Sequence, residues 1–228
     1  MRSLEFLRPR TLDEAVAQLV AYDGDAKVLA GSTALTIMLR ERLIEPAAVV
    51  LLGGIPGLRE IERDNGDVRL GALVTHREAE KSGELAAAIP VLAETFAKVA
   101  NVRVRNQATV GGVLAEADYA SDPPAVFVGL GSEIDVYGAN GARTIPAGEF
   151  FRAFYETALD PNEVLTAVRV PLPAAGLDEA SIAAVADGYA ESIETLEDMR
   201  GSAWYRTEMV RVWVRRALTE VAGQLRTP

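Results

Sequence analysis

The chain of 228 residues contains no cysteine and only one histidine, His76. Without cysteine it can form no disulfide, offer no thiolate nucleophile and ligate no iron–sulfur cluster with its own side chains. A single histidine also argues against a histidine-built metal site and against a Ser-His-Asp triad. We therefore predict no metal site and no catalytic side chain. Any redox chemistry would have to rest on a bound organic cofactor.

Positive charge and long apolar runs are scarce as well. The chain has 23 lysines and arginines against 33 acidic residues, a net charge of −10 that argues against a nucleic-acid or anionic-membrane partner. The longest apolar stretch, residues 47–58, is too short to span a bilayer and is interrupted by glycine and proline. Three arginines among the first ten residues argue against a signal peptide. We expect a cytoplasmic protein with no nucleic-acid partner and no membrane insertion.

Hydrophobic patterning in the first quarter of the chain predicts two helices and two strands. A Thr-Leu-Asp-Glu capping box at residues 11–14 starts a helix that Asp-Gly at 23–24 ends. A short strand at 27–30 leads through a glycine-bearing turn into a helix over 34–43. Residues 47–52 then form an apolar run that is typical of a buried strand.

Further along the chain, short strands and helices alternate without an internal repeat. Strands are predicted at 59–63, 68–73, 132–136, 142–145 and 164–170, and helices at 75–81 and 89–99. Such mixed short elements favour an α+β domain over a repeated βαβ unit. After Pro173 only helix-forming sequence follows, in two segments that end near Thr195 and Leu225. Trp204 and Trp213 are interpreted as anchors of the last helix to the core.

Two glycine-bearing turns give the strongest functional signal. The first, Ala-Gly-Ser-Thr-Ala, occupies residues 30–34, and the second, Thr-Val-Gly-Gly-Val, occupies residues 109–113. A turn from a strand into a helix N-terminus exposes backbone N–H groups and the positive end of the helix dipole, which favour an anion. Paired glycines add room for a bulky ligand and a concave set of amides. Two such turns predict a ligand with two phosphates, and hence a dinucleotide cofactor.

Each of these segments also has an interpretation without a ligand. Ser32 and Thr33 can simply cap a helix after a strand. Gly111 and Gly112 can serve a loop that needs positive φ angles. Asp122, which precedes two prolines in a loop expected to be extended, can accept hydrogen bonds from a cofactor or cap a helix.

The order of these segments resembles the FAD-binding medium subunits of the molybdenum hydroxylases, the family of the carbon monoxide dehydrogenase medium subunit and the xanthine dehydrogenase FAD-binding subunit. The matching segments are Ala-Gly-Ser-Thr-Ala-Leu at 30–35, Gly-Ala-Leu-Val-Thr-His at 71–76, Arg-Asn-Gln-Ala-Thr-Val-Gly-Gly at 105–112, Ala-Asp-Tyr-Ala-Ser-Asp-Pro at 117–123 and Asn-Glu-Val-Leu-Thr at 162–166. The likeness covers residues 1–173 almost continuously.

The resemblance implies a two-lobed α+β fold of the vanillyl-alcohol oxidase / p-cresol methylhydroxylase type. Its FAD-binding domain would cover residues 1–173, with lobes at about 1–57 and 58–173, and a shortened, mainly helical C-terminal region would cover 174–228. The cofactor that it implies is FAD, with the diphosphate held by the two turns. The cofactor-binding residues that it implies are Ala30, Gly31, Ser32, Thr33, Ala34, Leu35, Thr109, Val110, Gly111, Gly112, Val113, Ser121 and Asp122.

The resemblance also implies a flavoprotein subunit of an oxidoreductase complex. In that family a molybdopterin large subunit and an iron–sulfur small subunit feed electrons to FAD, which passes them to NAD, a quinone or oxygen. Two alternatives stay open: a scaffold subunit that has lost tight FAD binding, and a stand-alone flavin oxidoreductase. The scaffold alternative is based on a sheet-forming stretch missing after residue 173 and on four departures from the family pattern. These departures are Ser32, Ala34, Ala108 and Val113, where the family usually has glycine, aspartate or serine, glycine and asparagine.

Overall fold

The computed structural model describes residues 4–64, 66–172, 179–193 and 202–225. The chain forms two compact units, Met1–Leu172 and Pro173–Pro228. Two expectations concern residues outside the described ones: the start of the missing sheet-forming stretch after Pro173 and the helix end near Thr195.

The first part of the larger unit is a three-stranded parallel sheet with helices on it. Its elements are β1 (Glu5–Leu7), α1 (Leu12–Ala21), β2 (Ala26–Leu29), α2 (Thr33–Arg40) and β3 (Ala48–Leu51), followed by a 3₁₀ turn at Leu52–Gly54. The strand order is β1-β3-β2. As predicted, Thr11 caps α1: its hydroxyl accepts the Glu14 N–H at 3.1 Å, while the Glu14 carboxylate accepts the Arg10 N–H at 2.6 Å.

The second part of the larger unit is a five-stranded antiparallel sheet with short helices. Its strands are β4 (Ile61–Arg63), β5 (Asp67–Gly71), β6 (Glu133–Gly138), β7 (Gly141–Pro146) and β10 (Val164–Pro171), and a separate hairpin is made by β8 (Phe151–Ala153) and β9 (Glu156–Thr157). Its helices are α3 (His76–Lys81), α4 (Gly83–Ala88), α5 (Pro90–Lys98), α6 (Val102–Arg105), α7 (Val110–Glu116), α8 (Asp122–Gly129) and α9 (Ala147–Phe150). The order of the five strands is β4-β5-β10-β6-β7. Phe96, Phe127 and Phe150 are fully buried in the core between this sheet and its helices.

Strand β10 joins the two parts of this unit. In the sheet, Val168 lies opposite Leu70 on one side and Ile134 on the other. Val164, at the start of the same strand, packs instead into the core of the first sheet with the apolar face of α1. The side chain that completes the first core therefore comes from the strand at the centre of the second sheet.

The smaller unit contains two helices, α10 (Glu179–Ser192) and α11 (Ala203–Leu225), which pack against each other. Arg211 of α11 forms an ion pair with Asp187 of α10 at 2.9 Å. Among the described residues of this unit, the buried side chains are small or aliphatic: Ile182, Ala186, Ala190 and Ala222. Trp204 and Trp213 are mostly exposed, so the interpretation of these tryptophans as core anchors is wrong.

Candidate functional site

A cavity of about 630 Å³ in the larger unit brings both glycine-bearing turns together. This volume is typical of small-molecule and cofactor sites. The predicted residues that line it are Ala30, Gly31, Ser32, Thr33, Ala34, Leu35, Thr109, Gly111, Gly112, Val113 and Ser121.

Two predicted residues lie elsewhere. Val110 is fully buried in the core of the second part, where its side chain cannot reach the cavity. Asp122 is exposed and borders a second cavity of about 400 Å³. Ser121 lines both cavities, so they adjoin at that residue. Asp122 is also the first residue of α8 and not part of an extended loop, because Pro123 and Pro124 are compatible with the first turn of a helix.

The first turn provides unused backbone donors. Ser32 has a left-handed conformation (φ 65°, ψ 14°) and its side chain does not cap α2, although its hydroxyl contacts that of Thr36. Within the described residues, the backbone N–H groups of Thr33, Ala34 and Leu35 have no hydrogen-bond acceptor. Together with the positive end of the α2 dipole, these three N–H groups form a site suited to an anion.

The conformation of Ser32 is one that glycine adopts most easily. A serine at this position is therefore compatible with the same backbone path, at some cost in strain. Ser32 is thus the N-cap residue of α2, as the ligand-free interpretation expected, but its side chain makes no capping hydrogen bond.

The second turn does not provide unused donors. It is the start of α7, and each amide of its first turn already has an acceptor. The bonds run from Val110 to the Val74 carbonyl (2.9 Å), from Gly111 to the Ala72 carbonyl (2.8 Å), from Gly112 to the Thr109 hydroxyl (3.1 Å) and from Val113 to the Thr109 carbonyl (3.0 Å). The prediction of bare amides here is wrong, because neighbouring backbone and the Thr109 cap use them. The alternative of positive φ angles is wrong too, since both glycines are helical.

The glycines of the turns are explained by close packing. A β-carbon on Gly111 would lie 2.7 Å from the Ala72 side chain. On Gly31 it would lie 1.8 Å from the carbonyl oxygen of Gln107, just before the second turn. Real β-carbons do not approach other atoms so closely, and hence side chains at both positions would push the walls of the cavity apart.

His76 forms part of the cavity wall behind the second turn. It is 1% exposed, its ring lies 4.9 Å from the ring of Phe96, and its Nε2 is 3.3 Å from the Thr109 carbonyl oxygen. Burial lowers the pKa of His76 to about 4; the contact with Thr109 opposes this shift and the charge of Arg105 adds to it. The imidazole is therefore neutral near pH 7. We place its proton on Nε2, because that nitrogen faces an acceptor.

Charged side chains at the cavity were not found by sequence reasoning. Lys27 lines it, and so do Glu116 and Glu163. Arg143 pairs with Glu163 at 2.7 Å, and this hydrogen bond lowers the pKa of Glu163. Burial raises the pKa of Glu116, and nearby Asp118 adds to the rise. Glu116 could have been found, since it lies four residues after Gly112 on one helical face. No spacing or motif near Lys27 indicates that its side chain lies at the cavity.

Membrane spans and metal sites are absent from the described segments. No helix there is long and apolar enough to cross a membrane. Nor does any group of three or more histidine or acidic side chains in these segments have the arrangement of a metal site.

Comparison with known families gives a match over most of the chain. Residues 2–173 match the family described as "FAD binding domain in molybdopterin dehydrogenase". The carbon monoxide dehydrogenase medium chain of Afipia carboxidovorans is 36% identical over 174 residues, which are 76% of this chain and 60% of that protein. The nicotine 6-hydroxylase medium subunit of Paenarthrobacter nicotinovorans is 33% identical over 169 residues, 74% of this chain and 59% of that one. The match thus spans about 60% of the length of these relatives.

Solved structures show the same architecture. A chain of carbon monoxide dehydrogenase from Hydrogenophaga pseudoflava superposes with a TM-score of 0.83 and 29% identity, covering 95% of this chain and 96% of that one. A chain of quinoline 2-oxidoreductase from Pseudomonas putida 86 superposes with a TM-score of 0.82 and 25% identity, covering 98% of both. The mixed α/β fold described above is therefore that of such chains.

Proposed function

The chain belongs to the family of FAD-binding domains of molybdopterin dehydrogenases, with FAD as its cofactor, and we propose that it is the electron-transferring flavoprotein subunit of a molybdenum-hydroxylase-type complex. In this proposal an iron–sulfur small subunit delivers electrons that originate at a molybdopterin large subunit. The acceptor would be NAD, a quinone or oxygen.

The observation that carries the proposal is the set of unused N–H groups on the cavity wall. The N–H groups of Thr33, Ala34 and Leu35 lie at the start of an eight-residue helix, beside a cavity of cofactor size. A diphosphate would satisfy them and would be stabilised by the helix dipole. Lys27 adds a positive side chain to the same cavity. These features fit FAD and support retained cofactor binding over the scaffold alternative.

The second turn has a different role in the proposal. Because its amides are already bonded, residues 109–113 would shape the wall and would not donate to the phosphates. Gly111 lets α7 pack tightly on Ala72, and a β-carbon on Gly112 would lie 2.8 Å from the Thr109 hydroxyl that caps the helix. Ser121 and Glu116 would hold polar parts of the cofactor farther along the same wall. Asp122 would contact it only by way of the adjoining cavity.

FAD, when bound, supplies the redox chemistry that the side chains of this chain lack. The residues of the chain bind and orient it and exclude water from the apolar wall formed by Leu35, Met38 and Val104. His76 holds its proton against the Thr109 carbonyl and, being neutral and buried, is not a proton donor near pH 7.

We also propose that the larger unit is a two-lobed fold of the vanillyl-alcohol oxidase / p-cresol methylhydroxylase type, with lobes at about 1–57 and 58–173. Residues 174–228 would then be a shortened form of the family's C-terminal region. The parallel and antiparallel sheets on either side of residue 57 support the lobes.

Titration of the purified full chain with FAD and with FMN, followed by flavin fluorescence, tests the proposal. We expect saturable quenching by FAD and at least tenfold weaker binding of FMN, which has one phosphate and cannot use all three N–H groups. If neither flavin shows saturable binding, the chain is a scaffold. Coexpression with neighbouring genes then tests the complex: the stand-alone alternative predicts a flavin-loaded chain that copurifies with no other subunit.

A further inference from the structure

Helix α11 of the smaller unit packs on α10 with one side and leaves the opposite side exposed. The side that meets α10 carries Arg211 and Arg215, which pair with Asp187 at 2.9 and 3.6 Å, and the buried Ala222. Because an α-helix has 3.6 residues per turn, Trp213 lies on the other side of α11. Its side chain is 62% exposed. A large aromatic side chain therefore stands on a helix face that α10 does not cover.

The residues around Trp213 combine apolar and charged surface. The Arg216 guanidinium lies 5.3 Å from the centre of the Trp213 ring and stacks on it. Tryptophan and arginine are the side chains most enriched at the centres of protein interfaces. We call the following residues, which share this side of the helix, the outer face of α11: Arg206, Met209, Val210, Trp213, Ala217 and Glu220.

The outer face is self-complementary along its length. Arg206 lies seven residues before Trp213, and Glu220 lies seven residues after it. Two antiparallel copies of α11 that cross at Trp213 therefore bring Arg206 of each copy opposite the partner's Glu220. The same register sets Met209 opposite the partner's Ala217. The Arg206 guanidinium has several donors, so it can bind the partner's Glu220 in addition to its contacts within its own chain.

The size and charge of the smaller unit also suit a second copy. Among its described residues, the buried side chains are three alanines and one isoleucine, which make a small core. Small folded units commonly gain further stability by oligomerising. Two copies of a chain with a net charge of −10 repel each other. Helix α11 carries four arginines against two glutamates, so it is a part of the surface where this repulsion is weak.

We propose that two copies of this chain pair through the outer faces of α11, antiparallel and crossing at Trp213. In such a twofold contact each residue pair occurs twice, so the bridge between Arg206 and Glu220 forms at both ends and the two Trp213 rings meet at the centre. A different partner protein would not require charges at equal distances from a central tryptophan. Pairing of this kind needs neither FAD nor another subunit, so it stands apart from the proposed function.

Analytical ultracentrifugation of the purified full chain tests the pairing. We expect twice the mass of one chain at a concentration of about 100 μM. Trp213→Ala should weaken the dimer at least about tenfold, because the central aromatic side chain is lost. Trp204→Ala is the matched control, since Trp204 is 73% exposed but lies on the opposite side of α11. It should change the dissociation constant by less than about threefold.

Charge exchange tests the antiparallel register. Glu220→Arg alone sets like charges opposite each other, and so does Arg206→Glu alone, so each variant should pair at least about tenfold more weakly than wild type. An equimolar mixture of the two should form a heterodimer, because each copy then meets opposite charges at both ends. Heterodimer formation would also show that both variants are folded. A monomeric wild-type chain, unchanged pairing in Trp213→Ala, or a mixture that stays monomeric would overturn the proposal.

Discussion

The backbone of Gly31 rests against the carbonyl group of Gln107, so closely that a β-carbon on Gly31 would lie 1.8 Å from the carbonyl oxygen. This contact joins the turn before α2 to the segment before α7. The two walls of the cavity are therefore held at a fixed distance by backbone, and the width of the cofactor site depends on the absence of one side chain.

Gly31→Ala should separate these walls. We expect the free energy of unfolding to fall by about 1–3 kcal/mol from overpacking, and FAD binding to weaken at least tenfold, which corresponds to about 1.4 kcal/mol. Urea denaturation and flavin fluorescence measure the two effects. Gly53→Ala is the matched control, since no atom lies within 4 Å of its added β-carbon. Wild-type FAD affinity in Gly31→Ala would show that this contact does not set the site.

Ser32→Gly tests whether the backbone path or the hydroxyl matters in the first turn. Glycine relieves the left-handed strain at φ 65° but makes the unfolded chain more flexible, so stability should change by less than about 1 kcal/mol. FAD binding should persist, because the donors are backbone N–H groups. Ser32→Val, with a branched side chain in the same conformation, should cost about 1–2 kcal/mol in urea denaturation. Loss of FAD binding in Ser32→Gly would assign the binding to the hydroxyl.

His76 should make folding stability depend on pH between about 4 and 6.5. Its pKa in the folded chain, about 4, lies below its ordinary value of 6.5, so in this window the unfolded chain binds more protons. The contribution of His76 to the free energy of unfolding should be fully present above pH 6.5. It should decline as pH falls toward 4, by about 3 kcal/mol in total. Urea denaturation across this range measures the loss.

His76→Gln should flatten that pH dependence, whatever its effect on stability at neutral pH. The assignment is direct because the chain has one histidine. Glu116 works in the opposite direction, since its raised pKa lets the folded chain bind more protons as pH falls. Glu116→Gln should therefore steepen the decline. An unchanged slope in His76→Gln would rule out His76 as its source.

Arg105→Gln should destabilise the wall that meets Gly31. The Arg105 guanidinium is nearly buried, pairs with Glu80 at 3.0 Å and donates to the carbonyls of Val99 and Ala100. Removing one partner of a buried pair costs about 3–5 kcal/mol. The double variant with Glu80→Gln should cost less than the sum of the two single variants. Arg59→Gln, which breaks an exposed pair with Glu78, should cost less than about 1 kcal/mol. Equal costs for Arg105→Gln and Arg59→Gln in urea denaturation would contradict this account.

Local signals predicted much of the fold. The capping residues Thr11 and Thr75 mark true helix starts, and the strands of the five-stranded sheet lie within a few residues of their predicted positions. No bounds were predicted for helices α7 and α8, because glycines and prolines, which usually interrupt helices, occupy their first turns. The exposure of Trp204 and Trp213 depends on tertiary packing, which periodicity alone does not report.

The sequence predicted most residues that line the candidate site, but not which of their N–H groups are free to bind a ligand. Both turns line one cavity, as residue order and resemblance indicated. The sequence could not show that Gly111 and Gly112 donate their N–H groups within the protein, because the acceptors on Ala72 and Thr109 follow from a tertiary contact and a helix cap. Nor could it bring Tyr155 to the cavity, since that depends on how the β8–β9 hairpin meets the loop after α7.

The placement of Val164 in the first core means that this core is fully packed only after β10 has been synthesised. The N-terminal sheet is translated early, yet one of its apolar contacts arrives only when β10 has emerged from the exit tunnel. Until then this sheet lacks part of its packing, and a nascent chain stalled before that strand would present an open apolar face to chaperones. Excising the N-terminal half would therefore remove one buried apolar contact from its core.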